Sequence, residues 1–101
     1  MKKIINSKLY NTQTATMLAS YDNHCLPNDF HYVEETLYRK KTGEFFLSGS
    51  GGARTIYSEQ FQGGSRGSSR LVPLTEAQAR KWVETYTDAD KYMEIFGEVE
   101  E

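Results

Sequence analysis

Residues 36–49, TLYRKKTGEFFLSG, constrain the fold more than any other stretch of the chain. Two runs rich in β-formers, Thr36–Lys40 and Glu44–Ser48, flank Lys41-Thr42-Gly43. A three-residue loop ending in Gly suits a type I turn followed by a left-handed residue, a conformation Gly adopts without a Cβ clash. Pairing Lys40 with Glu44 then sets the register. Arg39 faces Phe45, Tyr38 faces Phe46, Leu37 faces Leu47 and Thr36 faces Ser48. Each pair is chemically compatible across two strands.

A chain of 101 residues is expected to form a single α+β domain over residues 1–101. Its apolar share is only 38%, so seven Tyr, five Phe and one Trp must carry much of the core. The charge is uneven. Residues 1–74 hold nine Lys/Arg against six Asp/Glu, a balance of +3, and residues 75–101 hold three against eight, a balance of −5. A lone cysteine, Cys25, allows no internal disulfide and suits a reducing compartment. The N-terminus lacks the apolar run of a signal peptide, and no stretch approaches a membrane span. A cytoplasmic location and no membrane partner are expected.

The segment KKIINSKLY reads as a small hairpin turning at Asn6-Ser7. After it, Asn11 or Thr12 stands as a cap, and Ala15, Leu18 and Ala19 fall at i, i+3, i+4, which predicts a short helix from Gln13 to Ser20. Residues 22–29 form a loop in which Pro27 blocks helix continuation. A short strand or irregular turn is expected around Thr55–Ser58, with Tyr57 and Phe61 also at helical spacing. Residues 62–70, QGGSRGSSR, read as a flexible loop, and LVPL as a short strand that Pro73 puts at an edge or a strand end. Thr75-Glu76-Ala77-Gln78 is a capping box, and Ala79, Trp82, Val83 and Tyr86 line one face of the helix it opens. A second helix follows from Thr87 or Asp88, with Gly97 closing it. The expectation is a small antiparallel sheet built from hairpins, with a short N-terminal helix and two C-terminal helices packed on one face.

Chemistry-bearing residues are sparse. His24, Cys25 and His31 lack the paired spacing of a zinc site, and no acid–base–nucleophile set accompanies them. The stretch GSGGA at 49–53 lacks the ending of a phosphate loop and follows a hairpin, which favours a turn. No cofactor, no metal and no enzymatic activity are therefore expected. Two charged surfaces remain. Arg39, Lys40, Lys41, Arg66 and Arg70, with Arg54, offer cations to a nucleic acid. Glu84, Asp88, Asp90, Glu94 and Glu98, followed by Glu100 and Glu101, offer an acidic helical face to a basic groove.

KKIINSKLYNTQTA, ETLYRKKTGEFFL, LVPLTEAQARKW and EIFGEVEE together resemble small proteins of phages and mobile elements of Gram-positive bacteria. The commonest form of that group has Gly after KKIIN and Asp-Thr after the Tyr; here Ser7 and Asn11 stand instead. The resemblance implies an accessory protein of a mobile genome, a pool that includes anti-CRISPR proteins. The expected function is an inhibitor that binds a host defence complex, a CRISPR effector nuclease, and blocks its nucleic-acid groove with the acidic helices. The alternative is a nucleic-acid-binding accessory protein that uses the basic residues.

Overall fold

The computed structural model describes residues 1–26 and 28–100, with the side chain of Phe61 left out. The expectations for Pro27, for a Tyr57–Phe61 side-chain pair and for Glu101 lie outside the described residues. Strands β1 (Lys2–Ile5) and β2 (Lys8–Asn11) form the first hairpin. Asn6 and Ser7 both take positive φ, 51° and 66°, as a two-residue turn matched to strand twist requires.

The helix expected from Gln13 to Ser20 is absent. That stretch is instead strand β3 (Thr16–Asp22), which pairs with the hairpin as an edge strand. Two local features explain the difference. Asn11 does behave like a cap, since its Oδ1 accepts from the Gln13 amide at 2.9 Å, and Ala15 N–H donates to the Asn11 carbonyl. The turn stops there, because β-branched Thr14 and Thr16 disfavour its continuation. A bulge between Met17 and Ala19 then shifts the strand by one residue. It breaks the period of two, so that adjacent Leu18 and Ala19 both pack against the helix-covered core, while Ala15, before the strand, packs with the first hairpin.

Strands β4 (Val33–Arg39) and β5 (Phe45–Gly51) form the central hairpin in the expected register, from Arg39 opposite Phe45 to Thr36 opposite Ser48. Gly43 at the turn has φ 94°. Residues 55–58 are turns, and pairing resumes in β6 (Glu59–Phe61) and β7 (Gly64–Arg66), a separate two-stranded ribbon. The Gly/Ser stretch read as a flexible loop thus contains β7 and the start of β8 (Ser68–Leu74). Strand β8 pairs with β5 and carries Pro73 on the outer edge of the four-stranded sheet, in the order β3-β4-β5-β8.

Helix α1 (Glu76–Tyr86) opens with the complete capping box: Thr75 Oγ1 accepts from Gln78 N–H at 3.1 Å, and Gln78 Oε1 from Thr75 N–H at 2.9 Å. Helix α2 (Ala89–Phe96) is capped by Asp88 and ends at Gly97, φ 90°. Both helices cover one face of the sheet. Leu37, Phe45, Leu47, Ala79, Trp82 and Val83 form the buried centre there, with Tyr92, Ile95 and Phe96 of α2 packed against it. The first hairpin covers the other face, where Tyr10, Phe46 and Leu71 are buried. Phe46 stacks on Tyr38 at 5.3 Å and meets Tyr10 edge-on at 5.4 Å. The structure is therefore α+β, with a covering layer on each side of an antiparallel sheet. No helix among the described residues is long and apolar enough to cross a membrane.

Candidate functional site

Glu35 is the only buried charged residue among those described, 6% exposed. It lies in phase with Val33 and Leu37, so the alternation of β4 points it into the helix-covered face. A row of cross-strand partners runs through it: Tyr21 on β3, Glu35 on β4, Gly49 on β5 and Arg70 on β8. Gly49 leaves an opening in that row, and the ring of Tyr57 fills it. A Cβ at residue 49 would overlap the Tyr57 ring. From this position Tyr57 Oη donates to Glu35 Oε2, while Trp82 Nε1–H donates to Glu35 Oε1 at 3.0 Å. Burial first, then the bond to Glu35, push the Tyr57 hydroxyl well above its ordinary value near 10, and Arg70 offsets part of that shift.

The loop that delivers Tyr57 is built for it. Thr55 Oγ1 donates to the Gly52 carbonyl at 2.9 Å and accepts from the Tyr57 amide at 3.2 Å. Ser68 Oγ donates to the Tyr57 carbonyl, and Arg70 Nη2 to the Ile56 carbonyl, with the Arg70 guanidinium 5.3 Å from the Tyr57 ring centre. Gly52 sits so close to the carbonyls of Asp29 and Phe30 that a side chain would not fit. The glycines of GSGGA thus serve close packing of chain on chain rather than a phosphate.

Beside Glu35 lies an open cleft of about 650 Å³. Tyr21 and Tyr86 form one wall, with ring centres 4.2 Å apart, and Trp82 follows 5.6 Å behind Tyr86. Val33 and Ile56 supply apolar lining, Ile56 being 71% exposed, while Asn23, His31 and Arg54 supply polar groups. None of Glu35, Tyr57, Trp82, Tyr21 or Tyr86 stands out as a functional group in the sequence. The available signal is a carboxylate on the apolar phase of a strand, Val33-x-Glu35-x-Leu37.

Of the acidic residues expected to bind a partner, Glu84, Asp88, Asp90, Glu94, Glu98 and Glu100 are exposed. Asp88 caps α2 by accepting from Lys91 N–H at 2.8 Å. Glu84 pairs with Lys81 at 3.9 Å and Glu94 with Lys91 at 3.3 Å. Asp90 lies in the first turn of α2, and Glu98 follows its C-cap. Glu84 and Asp88 also border a second cleft, of about 520 Å³, whose apolar lining includes Tyr92, Met93 and Val99. Met93 and Val99 are 41% and 56% exposed.

The expected basic residues do not gather. Arg39, Lys40 and Lys41 lie at the tip of the central hairpin. There Lys40 is drawn in by Glu44 at 3.3 Å and by the Tyr10 ring at 4.3 Å. Arg66 lies at the opposite end and pairs with Glu59 at 3.1 Å. Arg70 is committed to the Tyr57 loop. His24 and His31 each lie 3.4 Å from a neighbouring aspartate, Asp22 and Asp29, and Cys25 is a half-buried free thiol. Among the described residues no three His, Cys, Asp or Glu gather as metal ligands.

No protein-family model, curated protein or solved structure matches the chain.

Proposed function

We propose that this chain is a non-enzymatic inhibitor that binds a protein partner through the surface of its C-terminal helices. The carrying observation is the combination found there: exposed carboxylates of Glu84, Asp88, Asp90, Glu94 and Glu98 beside a cleft lined by Tyr92, Met93 and Val99. Exposed apolar side chains rimmed by like charges favour a partner that is both basic and partly apolar, such as the nucleic-acid groove of an enzyme. The division of the basic residues between the two ends of the hairpin favours this reading over direct nucleic-acid binding, which needs cations on one surface. The sequence resemblance to small proteins of mobile elements supplies the partner class, a CRISPR effector nuclease of the host.

The test is cleavage of target DNA by a guide-loaded effector nuclease with and without the purified chain. Wild type is expected to slow cleavage and to co-precipitate with the effector, the association weakening as salt rises. The variant E84Q/D90N/E94Q/E98Q, which spares the Asp88 cap, is expected to keep its circular dichroism and lose inhibition. Full cleavage in the presence of wild type, with nothing co-precipitated, overturns the proposal.

A further inference from the structure

The cleft beside Glu35 has an electrostatic character that the acidic-surface reading does not use. Glu35 is buried, yet both of its hydrogen-bond donors, Tyr57 Oη–H and Trp82 Nε1–H, are neutral. No ion pair to Glu35 occurs among the described residues; the nearby guanidinium of Arg70 is engaged by the Tyr57 ring and the Ile56 carbonyl. A buried carboxylate without a cationic partner is costly, and each oxygen retains accepting capacity. Helix α1 ends on the same cleft, at Tyr86, with no basic residue in its last turn. The negative end of the helix dipole lies there and adds partial negative charge. The wall is aromatic, from Tyr21 and Tyr86, and ring faces attract cations.

We propose that this cleft is a socket for an arginine side chain of the protein partner. The guanidinium would lie against the Tyr86 and Tyr21 rings and direct its N–H groups towards Glu35. Its planar, multi-donor shape meets both demands, which a lysine ammonium meets less well. The socket rests on the partner-binding reading and refines it. Residues 84–88 carry Tyr86 on the socket side and Glu84 and Asp88 on the second cleft, so a single basic partner surface spans the end of α1. Arg54, exposed in the cleft lining, is the cation the incoming group must displace or avoid.

The chain has a single tryptophan, so the Trp82 indole N–H gives a single nitrogen–proton resonance beside Glu35. The isotope-labelled chain is titrated with N-acetyl-arginine methylamide. That resonance is expected to move saturably, with a Kd of about 1–10 mM, the ordinary range for one anchored side chain. The equally long but uncharged citrulline derivative should leave it in place, and the lysine derivative should bind more weakly. Glu35→Gln is expected to abolish the shift. Because that change perturbs a buried network, Tyr86→Leu at an exposed position serves as the second variant, weakening binding about threefold or more through the lost ring face. Arg54→Ala is expected to tighten it. No movement at tenfold higher concentration, an equal response to citrulline or lysine, or an unchanged Kd in Tyr86→Leu overturns the socket. No nuclease enters this titration. Arginine binding by a chain that fails to inhibit would discard the effector reading alone, and inhibition without arginine binding would discard the socket alone.

Discussion

The two ends of the central hairpin each hold a glutamate, and the two are treated oppositely. At the tip, the partly exposed Glu44 meets the exposed Lys8 at 2.9 Å and the more covered Lys40 at 3.3 Å. Its hydrogen bond to Lys8 is the main cause that draws its pKa below the usual carboxylate value. At the open end, Glu35 is buried and held by a tyrosine hydroxyl and an indole, with no cation bonded to it among the described residues. An exposed pair such as Lys8–Glu44 contributes little, because water and salt screen it. A buried carboxylate is the reverse case. Each neutral donor is needed, because a lost bond in low dielectric is not replaced by water. The tip tolerates change, and the open end organises the loop, the helix and the cleft around one charge.

The largest break in this contrast is expected from Gly49→Ala. The new methyl group meets the ring of Tyr57, which is 1% exposed and pinned by Glu35, so neither can move without opening the network. Urea unfolding should show a loss of about 2–3 kcal/mol, the usual cost of forcing extra volume into a packed site. A loss below the experimental error would mean the ring swings aside freely.

Tyr57→Phe comes next. It keeps the ring over Gly49 and removes one donor to Glu35, for an expected loss of about 1–3 kcal/mol. The same variant sharpens the pH dependence. In the folded chain the Tyr57 hydroxyl is held well above 10, and that of Tyr32, which donates to Glu34, is pushed up to about 12. Both therefore stay protonated in the folded state at a pH where they would ionise in the unfolded chain. Their contribution is complete below pH 10 and is lost as pH rises towards and beyond 12. The urea midpoint of wild type should fall over that range, and Tyr57→Phe should show a smaller fall. An identical slope in the two proteins would assign the alkaline loss elsewhere.

The smallest effect belongs to the tip. Lys8→Ala removes the closest partner of Glu44, whose remaining contacts are the Lys40 ammonium and the Thr42 hydroxyl. The urea midpoint should stay within error of wild type, because the pair is partly exposed and water screens it. A clear drop would show that the first hairpin is clipped to the central one by charge rather than by the packing of Tyr10 on Phe46.

Legibility in the sequence divides along the same line. Elements specified by neighbours in the chain could be read directly. The hairpin register follows from the Gly43 turn and five compatible pairs, the capping box of α1 from Thr75 and Gln78, and the apolar face of that helix from Ala79, Trp82 and Val83. The misread strand β3 fails for a local reason too, since one bulged residue breaks the two-residue period that marks a strand.

The candidate site was not legible, and the reason is separation. Glu35, Tyr57 and Trp82 are joined by hydrogen bonds that span 22 and 47 residues. No period or motif connects them. Local chemistry in the chain determined the hairpins, the caps and the acidic bias of the last 27 residues. Only the tertiary structure decided which glutamate would be buried, which tyrosine would lie over Gly49 and which arginine would be committed to the loop. Those outcomes depend on the strand order β3-β4-β5-β8, which places four distant residues in one row, and on helix α1, which closes over that row. Burial and pairing across such distances are properties of the assembled sheet and cannot be assigned to any single segment of the chain.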